Sequence, residues 1–236
     1  MDKKRILIVL AVVFAFLYFW GTNFQVTDLV QFIYFLFALL ITLTVHEAAH
    51  GLVAYYLGDP TAKLAGRLTL NPVKHLDPVG SLVFLLTRTI GWGKPVPVNP
   101  ANFKHPVRDN ALTALAGPLS NFLLAFAVAL PWKYLGSYMP VWITLIFTMT
   151  FHVSIFLGIF NLLPFPPLDG SKILGLIIPH EWHRAYANFL HNGTKYFIAI
   201  ILIDAFILSG ILGFSIFGSI MRYLHDIVAT VLLLGT

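Results

Sequence analysis

The residues best placed to do chemistry together are His46, Glu47 and His50, in the run L-T-V-H-E-A-A-H-G from Leu43 to Gly51. The pattern is H-E-x-x-H. On a helix, histidines four apart lie roughly 40° from each other around the axis and one turn apart along it, so both imidazoles leave one face. Two such imidazoles can hold Zn²⁺, and the carboxylate between them can take a proton from water activated by the ion. A short motif can arise by chance, and a buried histidine is more often a packed core residue than a ligand. The setting argues otherwise. Residues 29–45 carry no charge and the run stays apolar to Leu57, so three ionisable side chains sit close together at membrane depth, where such groups are costly and mark function.

The elements that position them are membrane helices. Of 236 residues, 58% are hydrophobic and 11% charged, with a mean hydropathy of +0.82. A soluble domain carries about twice that share of charge. The expected fold class is therefore an all-α polytopic membrane protein, one membrane-embedded domain over 1–236. The net charge of +5 is spread over loops and implies no nucleic-acid partner; the lipid bilayer is the surrounding medium. With no cysteine, disulfides and thiolate metal sites are excluded, and any ligands must be His or carboxylate.

About six spans are expected, at 6–20, 29–57, 111–132, 141–163, 197–212 and 214–234. The first follows Lys3-Lys4-Arg5 and ends in Tyr18-Phe19-Trp20, aromatics that suit a membrane interface rather than a signal-peptide cleavage site. Between spans two and three, residues 63–70 alternate, with Leu64, Leu68 and Leu70 on one parity and Lys63, Arg67 and Thr69 on the other, the period of a strand. Residues 81–90 are apolar but too short to span, and G-W-G-K-P-V-P-V-N-P follows. This pair predicts a short β or re-entrant element. Basic residues concentrate at the N-terminus, after span two (Lys63, Arg67, Lys74, Arg88, Lys94, Lys104, Arg108) and after span four (Lys172, Arg184, Lys195). The positive-inside rule then places both termini in the cytoplasm, with spans two and four running inward.

That orientation puts His46 in the cytoplasmic part of the membrane. A third ligand should come from the inner end of another inward span, and span four ends in N-L-L-P-F-P-P-L-D-G, Asn161 to Gly170. Its prolines break the helix, and Asp169 follows in an apolar context. Broken backbone at membrane depth is tolerated where protein or a water-filled cavity surrounds it. Two histidines and a carboxylate with one open position form a catalytic zinc arrangement.

With both motifs in view, the chain resembles the site-2 protease family of intramembrane zinc metalloproteases. The resemblance rests on His46-Glu47-Ala48-Ala49-His50 and on Asn161 to Gly170. It extends to Ala116-Gly117-Pro118-Leu119-Ser120-Asn121, to Gly66-Arg67-Leu68-Thr69-Leu70-Asn71-Pro72 and to Lys94-Pro95-Val96-Pro97-Val98-Asn99-Pro100. It implies that His46, His50 and Asp169 bind one Zn²⁺ per chain, that Glu47 is the base, and that the substrates are transmembrane proteins or peptides in a prokaryotic cell membrane. The version is minimal, without a PDZ-like insertion.

Asn161 and Asn121 could each donate to a developing oxyanion, against the plainer reading of helix–helix hydrogen bonds. Arg67, Leu68 and Asn71 are candidate substrate contacts, with the 63–70 strand capturing substrate by edge pairing. His152 suits a packing hydrogen bond, with proton transfer as the alternative, Asp204 belongs near polar partners rather than lipid, and Arg222 and Asp226 are spaced to pair. Two other functions compete. A metal-ion transporter would need ligands at several depths, whereas the cluster lies at one. A catalytically silent binder of membrane segments would not need Glu47.

Overall fold

The computed structural model describes residues 26–87 and 91–233; the expected first span, 6–20, lies outside them. The α-helices are α1 Val26–Tyr56, α2 Thr61–Leu64, α3 Pro78–Thr87, α4 Pro106–Leu135, α5 Val141–Leu162, α6 Asp169–Ile173, α7 His183–Leu202 and α8 Ile216–Leu232. The stretches Leu29–Tyr56, Pro106–Tyr138, Val141–Leu162 and His183–Ser209 are long and apolar enough to cross a membrane.

α1, α4 and α5 pack as one unit because each offers a helical-period seam. On α1 the buried positions include Ala38, Thr42, His46, His50 and Ala54, four apart; on α4 they include Ala111, Ala114, Pro118, Asn121, Ala125 and Ala129. Small residues let backbones approach without a hydrophobic drive, which lipid removes. Phe151, Ile155 and Ile159 of α5 fill the space against Ala125 and Ala129, and Met221 of α8 closes that core. Thr42 and Ser154 hydroxyls, 2.9 Å apart, tie α1 to α5 inside it.

α1 stops where Gly58 takes a φ of +104°, a conformation open to glycine, and the Asp59 N–H returns to the Ala54 carbonyl at 2.9 Å. The expected strand at 63–70 does not form: no strand occurs among the described residues, and 61–64 is helical. Asp59 accepts the N–H of Thr61 at 3.1 Å and starts α2, while Gly66, at φ +64°, turns the chain away. Arg67 is buried whereas Leu64 and Leu70 are exposed, the reverse of a strand with its leucines inward. The only β pairing among the described residues is an isolated antiparallel bridge between Leu76 and Gly93.

α3 is ten residues long, about 15 Å. Phe84 on it stacks against Phe32 and Phe35 near the start of α1, at 6.3 and 6.0 Å. Gly80 and Gly91 have no room for a Cβ, lying against Trp92 and Phe84 respectively, so the chain returns close along α3.

The expected spans 197–212 and 214–234 are redrawn. α7 starts at His183 and continues as a π-turn over Ile203–Ser209; its first turns are polar, so hydropathy alone missed them. Its contacts stay at one end of the bundle. The Tyr186 hydroxyl donates to the Ser171 carbonyl at 2.7 Å, and Phe197 stacks on Phe165 at 5.6 Å and meets Phe160 at a tilt at 6.1 Å. Asp204, buried in the π-turn, accepts the N–H groups of Ile216 and Phe217 at 2.9 and 3.1 Å and the Ser215 hydroxyl. Asp204 thus caps α8. Phe217 meets Phe160 at 6.1 Å, and at the far end Lys133 donates to the Leu233 carbonyl at 2.7 Å, so α8 runs the length of the bundle.

Candidate metal centre

His46 and His50 leave α1 on its buried face, and the proline-broken end of α5 delivers Asp169 at the start of α6. Their Nε2 atoms stand 3.0 Å apart, and Asp169 Oδ2 lies 3.2 Å from His46 Nε2 and 3.1 Å from His50 Nε2. Among the described residues, these three form the one group of three or more potential ligands able to share an ion.

The hydrogen bonds behind the imidazoles define what the triangle can hold. His50 Nδ1 donates to the Thr113 carbonyl at 2.7 Å, which leaves Nε2 with its lone pair. His46 Nδ1 lies 3.0 Å from the Asn121 amide nitrogen, while Asn121 Oδ1 is buried without a partner. A half-turn of that amide puts the oxygen on Nδ1–H and gives His46 the same tautomer. Two Nε2 lone pairs and a carboxylate oxygen then face one point, and a cation reconciles them. A tetrahedral zinc with bonds of about 2.0–2.1 Å has ligand–ligand edges of about 3.3–3.4 Å, close to the triangle here. The residues fit zinc, and Thr113 and Asn121 supply the outer partners that metal-binding histidines use.

Gly117 of α4 closes one side. A Cβ there would come within 2.5 Å of His50 Cε1 and Nε2 and 2.6 Å of His46 Cε1. The other side opens on a cavity of about 410 Å³ lined by Glu47, Val96, Val98, Asn161, Asp169 and Lys172 among others. Glu47 does not join the ligand triangle. Its Oε2 accepts the Val96 N–H at 2.7 Å, so an extended segment outside the helices holds the carboxylate at the cavity wall.

That segment is pinned twice. Arg67, buried, donates to the Lys94 carbonyl at 2.6 Å. Asp59, fully buried, accepts Asn99 N–H at 2.7 Å and Asn102 Nδ2 at 2.6 Å. Burial pushes the Asp59 carboxyl up, but hydrogen bonds from Thr61, Asn102 and Asn99 outweigh it and hold it below the usual carboxylate range.

The expected site residues thus separate. His46, His50 and Asp169 meet, and Glu47 and Asn161 line the cavity. The Asn161 amide nitrogen is engaged with the Leu157 carbonyl at 3.0 Å. Asn121 is fully buried on the His46 side, away from the cavity. Arg67, Leu68 and Asn71 do not line the cavity; Leu68 packs beside Gly51, and the Asn71 side chain accepts Val73 N–H at 3.1 Å to start a turn. Gly117 and Val96 fall in stretches that carry the family resemblance, but their contacts, with the imidazoles and with Glu47, lie across elements; Asp59 is not marked out by its type.

A two-histidine, one-carboxylate centre with an adjacent glutamate, carried by apolar helices, defines the class of metallopeptidases built into membranes. The profile described as "Peptidase family M50" matches residues 133–205, a stretch that includes the Asn161 to Gly170 motif. The chain is 42% identical over 153 residues to "Putative zinc metalloprotease YwhC" of Bacillus subtilis, covering 62% of this chain and 69% of that protein. It is 29% identical over 171 residues to "Putative zinc metalloprotease Rip2" of Mycolicibacterium smegmatis, covering 70% of this chain and 65% of the relative. A 67-residue stretch, 28% of this chain, is 42% identical to "Putative zinc metalloprotease MJ0611" of Methanocaldococcus jannaschii, where it covers 34%. No solved structure gives a significant match. The chain belongs to peptidase family M50, as its resemblance to the site-2 proteases implied.

Proposed function

We propose that this chain is a zinc-dependent intramembrane endopeptidase that hydrolyses peptide bonds of transmembrane substrates near the cytoplasmic side. The observation that carries the reading is the convergence of His46, His50 and Asp169 at 3.0–3.2 Å on a cavity that Glu47 also lines. His46, His50 and Asp169 hold one zinc per chain; when bound, it supplies Lewis acidity toward a scissile carbonyl and makes water acidic enough to give up a proton near neutrality. Glu47 takes that proton and passes it to the leaving amine. The Val96 N–H fixes one oxygen of Glu47, leaving the other free to carry it. The Asn121 and Thr113 contacts lock the imidazole tautomers, and Asn161 at the cavity edge is placed to steer the substrate backbone.

The same reading sets topology. Basic residues flank the metal end of the bundle, which supports a cytoplasmic location for the site. α7 remains at that end along its length, which supports an interfacial rather than a crossing helix. α8, reaching from Phe160 to Lys133, is then the helix that crosses outward. α3 and its return through Gly91–Gly93, packed on Phe32, Phe35 and Leu43, support a re-entrant hairpin. Purified chain in liposomes with a single-span test substrate decides the activity. Cleavage that is lost with a chelator and restored by zinc is expected, and intact substrate with a zinc-loaded chain would overturn the reading.

A further inference from the structure

α8 presents two outward stripes. Ile220, Tyr223 and Ile227 are exposed and apolar, as suits lipid. Beside them Ser219, Arg222, Asp226 and Thr230 are exposed and polar, spaced by three, four and four residues and therefore on one face. Its charged members, Arg222 and Asp226, lie near the middle of a helix, Ile216–Leu232, that reaches from Phe160 to Lys133. The expected Arg222–Asp226 pair is not made. Asp226 Oδ1 instead accepts His225 Nδ1–H at 3.1 Å, His225 Nε2 meets His152 Nδ1 at 3.0 Å, and Thr230 Oγ1 donates to the Asp226 carbonyl at 2.8 Å. Asp226 is thereby held outward, its side chain 70% exposed, and Arg222 has no hydrogen bond or ion pair among the described residues. Among the described residues no third ligand joins the His152–His225 pair, which forms a hydrogen-bonded chain behind Asp226.

Ionisable groups at this depth are covered by protein or water, because lipid does not solvate them. We propose that a second copy of this chain covers the stripe, α8 against α8, about a two-fold axis along the membrane normal. The charge pattern selects this occupant. One positive and one negative group four residues apart form a self-complementary set, as a two-fold contact requires. In a parallel pair, Arg222 of one copy and Asp226 of the other are offset by about 6 Å along the axis, the reach of an arginine side chain. The two-fold axis makes the contact twice.

The chain has no cysteine, so single-cysteine variants report on this surface cleanly. In membranes, oxidised Ser219→Cys and Thr230→Cys should each give a covalent homodimer, and Leu123→Cys, 60% exposed on α4, should not. On the Thr230→Cys background, Arg222→Asp alone and Asp226→Arg alone should abolish the dimer band. Arg222→Asp with Asp226→Arg should restore it, because the reversed charges again match across the axis. Failure of the double variant to exceed the singles would overturn the proposal. So would a crosslink from Thr230→Cys to a second cysteine placed in residues 6–20 of the same chain, or to a substrate helix, instead of to another copy. Should the charge variants not accumulate, photobleaching steps of the labelled unmodified chain in liposomes decide: two per particle supports the proposal, and one overturns it.

Discussion

Gly117 and His50 are in a contact that only glycine permits, since a Cβ at 117 would lie 2.5 Å from His50 Nε2. Gly117→Ala must therefore displace an imidazole. Overpacking of this kind costs roughly 1–3 kcal/mol, which corresponds to about 5- to 150-fold weaker zinc binding. Chelator competition on the purified variant measures it. Gly136→Ala is the control, because its Cβ meets nothing nearer than Trp132 Cδ1 at 3.4 Å; equal zinc affinity in the two would contradict the account.

Asn121 supports His46 from behind rather than touching substrate. Asn121→Ala should weaken zinc binding about 10–100-fold, the usual effect of losing an outer partner of a metal-bound histidine. Asn121→Asp keeps an acceptor on Nδ1–H and should retain more zinc than Asn121→Ala. Cleavage by zinc-saturated Asn121→Ala should be closer to normal than its metal affinity. Unchanged affinity with lost cleavage would return Asn121 to the oxyanion role.

Arg67 reaches Glu47 through the chain: its guanidinium holds the Lys94 carbonyl, and two residues on, the Val96 N–H holds the carboxylate. A hydrogen bond from a charged donor contributes roughly 1.5–3 kcal/mol. Arg67→Ala should lower kcat while zinc content stays stoichiometric, with Arg67→Lys partly restoring it. A change in KM alone would make Arg67 a substrate contact.

Asp59 predicts an acid-side limit on stability. Its folded carboxyl is held below its ordinary value, so its contribution is fully present above the unfolded value of about 3.9 and is lost as pH falls through the lower folded value. Asp59→Asn should melt below the unmodified chain at pH 7, and the difference should narrow as pH falls below about 4. A constant gap across that range would show that the charge of Asp59 is not what matters.

How much of this was legible follows from the range of each signal. His46, His50 and Asp169 could be read because helical spacing and a proline-broken helix end are local, and topology brings the two to one depth. Gly117, Asn121 and Thr113 act across helices at distances that one-dimensional spacing does not encode. The alternation at 63–70 misled because Lys63 and Leu64 belong to the helical turn Thr61–Leu64 that Gly66 closes, and Asp59, just before it, takes the Thr61 N–H and turns the backbone into α2. The start of α7 was missed because its polar first turns lower hydropathy even where the backbone is helical. Asp204 carried a true signal, a carboxylate requiring polar partners, but those partners are the N–H groups of α8, which sequence does not display.

The most direct test of the central claim is the Glu47→Gln variant, measured for zinc content and single-turnover cleavage in one preparation. The amide keeps the size of the side chain and leaves His46, His50 and Asp169 in place, but it cannot accept a proton. Zinc should remain at one per chain, and cleavage should fall about 10²–10⁴-fold while substrate still binds. Loss of zinc would make Glu47 part of the metal's support, and near-normal cleavage would place the base elsewhere; either result contradicts the assignment.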